Sequence, residues 1–150
     1  MTRINSAIPV KKLTDEHLLA EHREIKRLPD NFLKALQTNA FKKIPQKFCL
    51  GTGHVTFFLN KQLFCLIRYN EIHNECSRRG FHVTYYASNW IALEQKMQQH
   101  NCFNNYMPTD EERAMLEDRI ATRILESKKA NFHYYGKPIS KEEAIDLLLS

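Results

Sequence analysis

The sequence is short of the residues that punctuate turns, with 4 glycines and 5 prolines in 150 residues. A barrel or sandwich of many short strands needs more of both, so helices are the expectation. The 4 cysteines, Cys49, Cys65, Cys76 and Cys102, form no CxxC pair and lack zinc-finger spacing. They read as reduced thiols of an intracellular, cytoplasmic protein, some of them buried. No apolar run approaches the roughly 18 residues of a membrane span, and no signal-peptide pattern opens the chain. Gly51-x-Gly53 lacks the third glycine and the strand–helix setting of a dinucleotide fingerprint. There is no internal repeat, no linker and no metal-ligand cluster. A single domain over 1–150 is therefore expected, with no bound metal.

What is present suits a globular protein: 43% hydrophobic and 26% charged residues. The formal charge of +5 suggests an anionic partner, although many small basic proteins bind no nucleic acid.

The most informative stretch is LTDEHLLAEHREIKR at 13–27. Thr14 is a good N-cap, Asp15 and Glu16 suit the positive end of the helix dipole, and Pro29 supplies a stop. Leu13 and Leu18 fit a hydrophobic staple. At helical spacing Leu18, His22 and Ile25 form the face to bury, with Leu19 on its flank. The other side gathers His17, Ala20, Arg23, Glu24 and Arg27, while Glu21 falls near the apolar boundary. One carboxylate among arginines is compatible with a salt-bridged surface helix as well as with a reactive centre. Ahead of it, removal of Met1 would leave Thr2 with a free α-amine. Such an amine has a pKa of about 7.7–8.0 against about 10.4 for lysine, so roughly a tenth or more is neutral and nucleophilic near pH 7.

Further along, Asp30 or Asn31 can cap a short helix, NFLKALQTN, with Phe32, Leu33 and Leu36 inward. Residues 40–47 read as a basic loop, solvated or touching phosphate through Lys42, Lys43 or Lys47. His54, between glycine and valine, reads as a hydrogen-bonded interior histidine before a catalytic one. Asn60 caps a long helix over 61–79, with an apolar stripe of Leu63, Leu66 or Ile67, Tyr69, Ile72 and Cys76. Gly80 closes it, and Arg78 and Arg79 suit its negative end. Residues 81–108 give no partnered strand, and NWIALEQKMQQ reads as a helical turn or two. Thr109-x-x-Glu112 opens a last helix over 109–127, packed by Met115, Leu116, Ile120, Ala121 and Ile124. The tail is aromatic and basic, then acidic and amphipathic.

MTRIN, LTDEHLLAEHREIKR, FCLGTGHVTFF, ECSRRGF and HYYGKPI, in that order, resemble the phage endonuclease V family of pyrimidine-dimer DNA glycosylases with abasic-site lyase activity. The resemblance is strongest at 1–28, 48–82 and 119–137. It implies that the Thr2 amine attacks the anomeric carbon of the lesion's 5′ nucleotide and that Glu24 is the catalytic carboxylate. Arg3, Arg23, Arg27, Arg119 and Arg123 match DNA-binding cations, and Tyr134, Tyr135 and Lys137 match the recognition tail. His17 and Glu21 have supporting counterparts. The implied partner is double-stranded DNA carrying ultraviolet photoproducts or abasic sites, bound by a monomer that needs no cofactor because the amine is the electron sink. The expected fold is a compact all-α domain of three main helices, with an extended N-terminal segment that brings Thr2 near Glu24.

The chain departs from the family where Asn131 and Phe132 replace a Trp-Tyr pair and where residues are added around Ser127–Ala130. Region 29–47 is shorter, Met115 stands where a cation is frequent, and the C-terminus runs on by about ten residues. The altered tail motivates a rival, the same scaffold acting on another damaged base. A non-catalytic DNA-binding module is a second.

Overall fold

In a computed structural model, which describes residues 4–150, the chain is mostly helical and carries one small antiparallel sheet. Helix α1 spans Asp15–Ile25, and its N-cap is Thr14, whose hydroxyl accepts the His17 amide proton. Leu18, His22 and Ile25 are buried, as the spacing requires. Pro29 does not stop this helix. It lies in the first turn of α2 (Leu28–Ala35), where the missing N–H breaks no intrahelical bond. The earlier start means that neither Asp30 nor Asn31 is the cap. Leu28, Phe32 and Ala35 face inward, and Leu33, about 100° round from Phe32, is exposed.

After a short 3-10 turn at Ala40–Lys43, the one-turn α3 (His54–Phe57) leads to α4 (Gln62–Arg78), around which the other elements are placed. α4 packs against α1, α2 and α5 (Ser88–Gln99), so its buried face is wider than an apolar stripe. Phe64 and Cys65 are inside, Leu66 packs on the core edge, and Ile67 is exposed. Three polar residues are buried on α4 with partners already in place, Gln62, Arg68 and Glu75. The Gln62 amide donates to the carbonyls of Leu28 and Leu59, and its oxygen accepts the Trp90 indole proton at 3.0 Å. One side chain thus ties the starts of α2 and α4 to α5. At the far end Gly80, at φ +85°, makes a Schellman close, with Phe81 N–H on the Cys76 carbonyl and Gly80 N–H on that of Ser77.

Helix α6 (Asp110–Glu126) starts at the Thr109 cap and buries Leu116, Ile120 and Ile124, while Met115 is exposed. The chain then departs from an all-α fold. Strands β1 (Asn131–Tyr134) and β2 (Lys137–Ser140) pair with Phe132 opposite Ile139. Tyr135 and Gly136 both have positive φ, 53° and 77°, the two-residue turn whose twist matches paired strands. Ser140 and Glu143 form a full capping box for α7 (Lys141–Leu149), which buries Ala144 and Leu148 against the core. Predicted as a tail, this region is a folded hairpin and helix, and α5 runs for three turns. Beside the three main helices expected, the short α2 is present, α5 is longer than a turn or two, and α7 is added.

Candidate active site

Glu21 and Glu24 of α1 face opposite environments. Glu21 is buried, and its carboxylate accepts from Arg68 Nε and Nη2, both at 2.9 Å. Arg68 Nη1 donates to the Ile8 carbonyl at 2.6 Å, so the pair fastens α1 and α4 to the N-terminal segment. Ile4 and Ile8 of that segment are fully buried. Glu24, three residues on, turns outward and pairs with Arg27 at 3.4 Å.

Glu24 stands on a ridge between two hollows. The larger, about 490 Å³, has the loop Gly51–Thr56 as its other wall. Gly51 (φ +72°) and Gly53 (φ +93°) let this loop turn sharply. A Cβ on Gly53 would lie 3.2 Å from Pro45 Cγ and 3.3 Å from Cys49 Sγ, tight contacts that add to the strain of its positive φ. His54 is buried beside the loop, boxed edge-on by Phe48 and Phe58. Its Nδ1–H donates to the Cys49 carbonyl at 3.0 Å, which leaves Nε2 to accept the Ile4 amide proton at 3.1 Å. The interior histidine therefore fixes the N-terminal segment against the Glu24 cleft. The second hollow, about 350 Å³, continues past Arg27, Asn31 and Lys34. Thr2 and Arg3 lie outside the described residues.

A third hollow, about 440 Å³, lies between α1 and α6. Its floor is apolar, from Leu19, Ala20 and Ile120, and Arg23, Arg123 and His17 stand around it. His17 Nδ1 is 2.7 Å from the Thr14 hydroxyl, and the ring stacks on Phe132. Burial lowers the His17 pKa, against the opposing pull of Glu16. Arg119 is half-buried on α6, one turn before Arg123, and does not line this hollow.

The tail residues are held elsewhere. The Tyr134 and Tyr135 rings lie 4.6 and 5.0 Å from the Arg79 guanidinium. Their hydroxyls donate to the Lys11 carbonyl and to Glu75 Oε2. The turn's N–H groups, of Tyr135 and Gly136, both donate to the Asp15 carboxylate. Burial raises the Tyr135 pKa, and its bond to Glu75 adds to the rise. These contacts put the two tyrosines at the N-terminal end of α1, about 13 Å along the helix from Glu24. Lys137 is exposed opposite Tyr134 on β2.

Sequence reasoning missed the buried assembly behind this hairpin. Arg79 donates from Nε to Glu75, from Nη1 to Asp15 and the Leu13 carbonyl, and from Nη2 to the Val10 carbonyl. The Glu75–Arg79 spacing of i, i+4 was a signal for one of these bonds. From the sequence alone the arginines of ECSRRGF read only as helix-end charges.

Among the described residues no helix is long and apolar enough to cross a membrane, and no three His, Cys, Asp or Glu side chains are grouped as metal ligands. Comparison with protein families gives a match over residues 1–89, to the family described as pyrimidine dimer DNA glycosylase. The matched stretch holds α1 to α4, and with them Glu24, its arginines and the glycine loop. α6 and the hairpin lie beyond it. With more than half of its length matched, the chain belongs to the pyrimidine dimer DNA glycosylases, repair enzymes of ultraviolet-damaged DNA.

Proposed function

We propose that the protein excises cyclobutane pyrimidine dimers from double-stranded DNA as a glycosylase and then nicks the strand as an abasic-site lyase. It acts as a monomeric single domain without metal or organic cofactor. The nucleophile is the α-amine of Thr2, exposed by removal of Met1. Its neutral form attacks C1′ of the dimer's 5′ nucleotide, and the glycosidic bond breaks with its electron pair and a proton going to the base. Opening of the C1′–O4′ bond gives an imine. Loss of a C2′ proton then expels the 3′ phosphate, and hydrolysis of the imine returns the amine. Glu24 stabilises the cationic sugar and carries the C2′ proton. Arg3, Arg23, Arg27, Arg119 and Arg123 hold backbone phosphates, and abasic duplexes are substrates for the second step.

The observation that carries this reading is the cleft shared by Glu24 and the glycine loop. Ile4 is hydrogen-bonded to the buried histidine of that same loop, and Thr2 is two residues before it. Two residues of chain reach at most about 7 Å, so the reading asks for no long excursion of the N-terminus. The metal-free chemistry also needs only an amine, a carboxylate and phosphate-binding cations, the groups that Thr2, Glu24 and the arginines supply in this reading.

The test is borohydride trapping of the processed protein on a duplex with one thymine dimer, beside an abasic duplex. An adduct mapped to Thr2 on the dimer duplex is the expected result. No adduct on either duplex, with Met1 shown to be absent, overturns the mechanism. A second reading, another damaged base as substrate, is favoured by the engagement of Tyr134 and Tyr135 with Arg79. Trapping on the abasic duplex alone would select it.

A further inference from the structure

Lys129 was assigned no role by motif or resemblance, and it sits in the segment added before the tail. In the fold it lines the hollow between α1 and α6 together with Arg23 and Arg123. All three cations are exposed, and among the described residues none of them makes an ion pair. The charge of Lys129 reaches the His17 ring, whose protonation it opposes. Unpaired cations round a concave, low-dielectric floor concentrate a positive potential, and a single anionic group in the hollow could face all three.

The segment carrying Lys129 is fastened on both sides. Before it, the Lys141 ammonium donates to the carbonyls of Leu125 and Ser127, and the Lys129 amide donates to Ser127 Oγ. After it, Glu16 accepts both the amide proton of His133, at 2.9 Å, and a bond from His133 Nδ1, at 2.8 Å. Glu16 also lines the hollow. Burial alone would raise its pKa, but the bonds from His133 lower it overall, so the carboxylate is kept ionised. An ionised carboxylate at the rim of an anion site opposes binding, unless its function there is to hold the hairpin.

We propose that Lys129 is a DNA-backbone ligand that completes this hollow as a seat for one sugar–phosphate unit, and that Glu16 is a positioning residue holding the hairpin that delivers it. The phosphate faces Arg23, Arg123 and Lys129, and the deoxyribose covers the Leu19–Ala20–Ile120 floor. The inference rests on the DNA-repair reading above.

The two roles give opposite signs for Glu16. If Glu16 acts only through its charge, Glu16→Ala tightens DNA binding. If it positions Lys129, the same change weakens binding and has no further effect once Lys129 is gone. The experiment is anisotropy of a short duplex carrying a tetrahydrofuran abasic site, titrated with salt, for the wild type, Lys129→Ala, Lys129→Arg, Glu16→Ala and the Glu16→Ala/Lys129→Ala double variant. Lys129→Ala should flatten the slope of log K against log salt by about one, and Lys129→Arg should restore it. Glu16→Ala should flatten it too, and the double variant should match Lys129→Ala.

An unchanged slope in Lys129→Ala overturns the ligand. Tighter binding by Glu16→Ala in both backgrounds overturns the positioning role. Both substitutions are at surface positions, and Lys129→Ala alone decides the first claim should Glu16→Ala unfold. A wild type that binds the duplex without salt dependence removes the DNA reading itself, which a failure confined to the variants would leave standing.

Discussion

Arg79 and Asp15, 64 residues apart in sequence, are joined by a buried ion pair of 2.9 Å. Asp15 uses its remaining acceptor capacity on the hairpin turn, and Arg79 uses its other donors on Glu75 and two carbonyls of the N-terminal segment. Helix α1, helix α4, the N-terminal segment and the tail therefore meet at one guanidinium.

Removing that guanidinium leaves the buried Asp15 with no ion pair and the buried Glu75 with only Arg78 as a cationic partner. Arg79→Met should cost about 3–5 kcal/mol, lowering the melting temperature by on the order of 10 °C. Arg79→Lys should recover only part, because an ammonium lacks the planar fork. Thermal denaturation checks both, and a melting point within a degree or two of wild type for Arg79→Met would refute the assembly's importance.

Acid should destabilise the fold in two windows. Burial, followed by the nearby charges of His73, Lys26 and Arg23, lowers the His22 pKa from 6.5 to about 4. The unfolded chain then binds the extra proton between those values, so stability falls as pH drops from about 6.5 towards 4. For Glu75, burial alone would raise the pKa, but hydrogen bonds from Arg79, Tyr135 and Arg78 bring it below 4.5. Its contribution is present above 4.5 and is lost as pH falls through the folded value. Urea melts against pH should show both losses, and His22→Gln should flatten only the upper one.

Glu24→Gln keeps the shape of the carboxylate and removes its charge. Incision of a dimer duplex should fall by about a hundredfold or more, with damaged-DNA binding retained or tightened. Single-turnover incision beside anisotropy separates the two, and full incision by this variant would sink the role given to Glu24.

Two glycines with the same backbone demand should respond differently to alanine. Gly80 has nothing within 4 Å of an added Cβ, so Gly80→Ala carries only the left-handed strain, about 1 kcal/mol. Gly53→Ala adds contacts at 3.2 and 3.3 Å with Pro45 and Cys49, and it moves the wall of the Glu24 cleft. It should destabilise more and also lower incision, as denaturation and rate measurements on the pair would show.

Arg119 and Arg123 lie one turn apart on α6, outside the family match. Replacing either with alanine should weaken DNA binding on every sequence and reduce the salt slope by about one unit. A slope unchanged in Arg119→Ala would assign that half-buried residue to packing.

Local chemistry explains what could be read in advance. The Thr14 and Thr109 caps, the burial of Leu18, His22 and Ile25, and the close at Gly80 depend on residues within a turn or two of one another. The interior state of His54 was also legible from its apolar neighbours. Where the reading failed, distant partners decided. Of the expected stripe on α4, Leu63 is only half-buried and Leu66 rather than Ile67 packs on the core, while ion pairs allow Arg68 and Glu75 to be buried there. Residues 131–140 read as a tail because their two short strands pair only with each other, across a turn without a familiar Asn-Gly signal.

By itself the sequence determined the helical character, the amphipathic first helix and the ordered motifs of a pyrimidine dimer DNA glycosylase, since caps, periodicity and residue identity are local properties of the chain. Only the tertiary structure decided that Glu21 serves the fold while Glu24 opens on a cleft, and that Tyr134 and Tyr135 turn to Arg79. It alone brings Lys129 to the hollow beside Arg23 and Arg123. Which charge is buried against which partner depends on contacts made across tens of residues, and spacing along the chain carries no record of them.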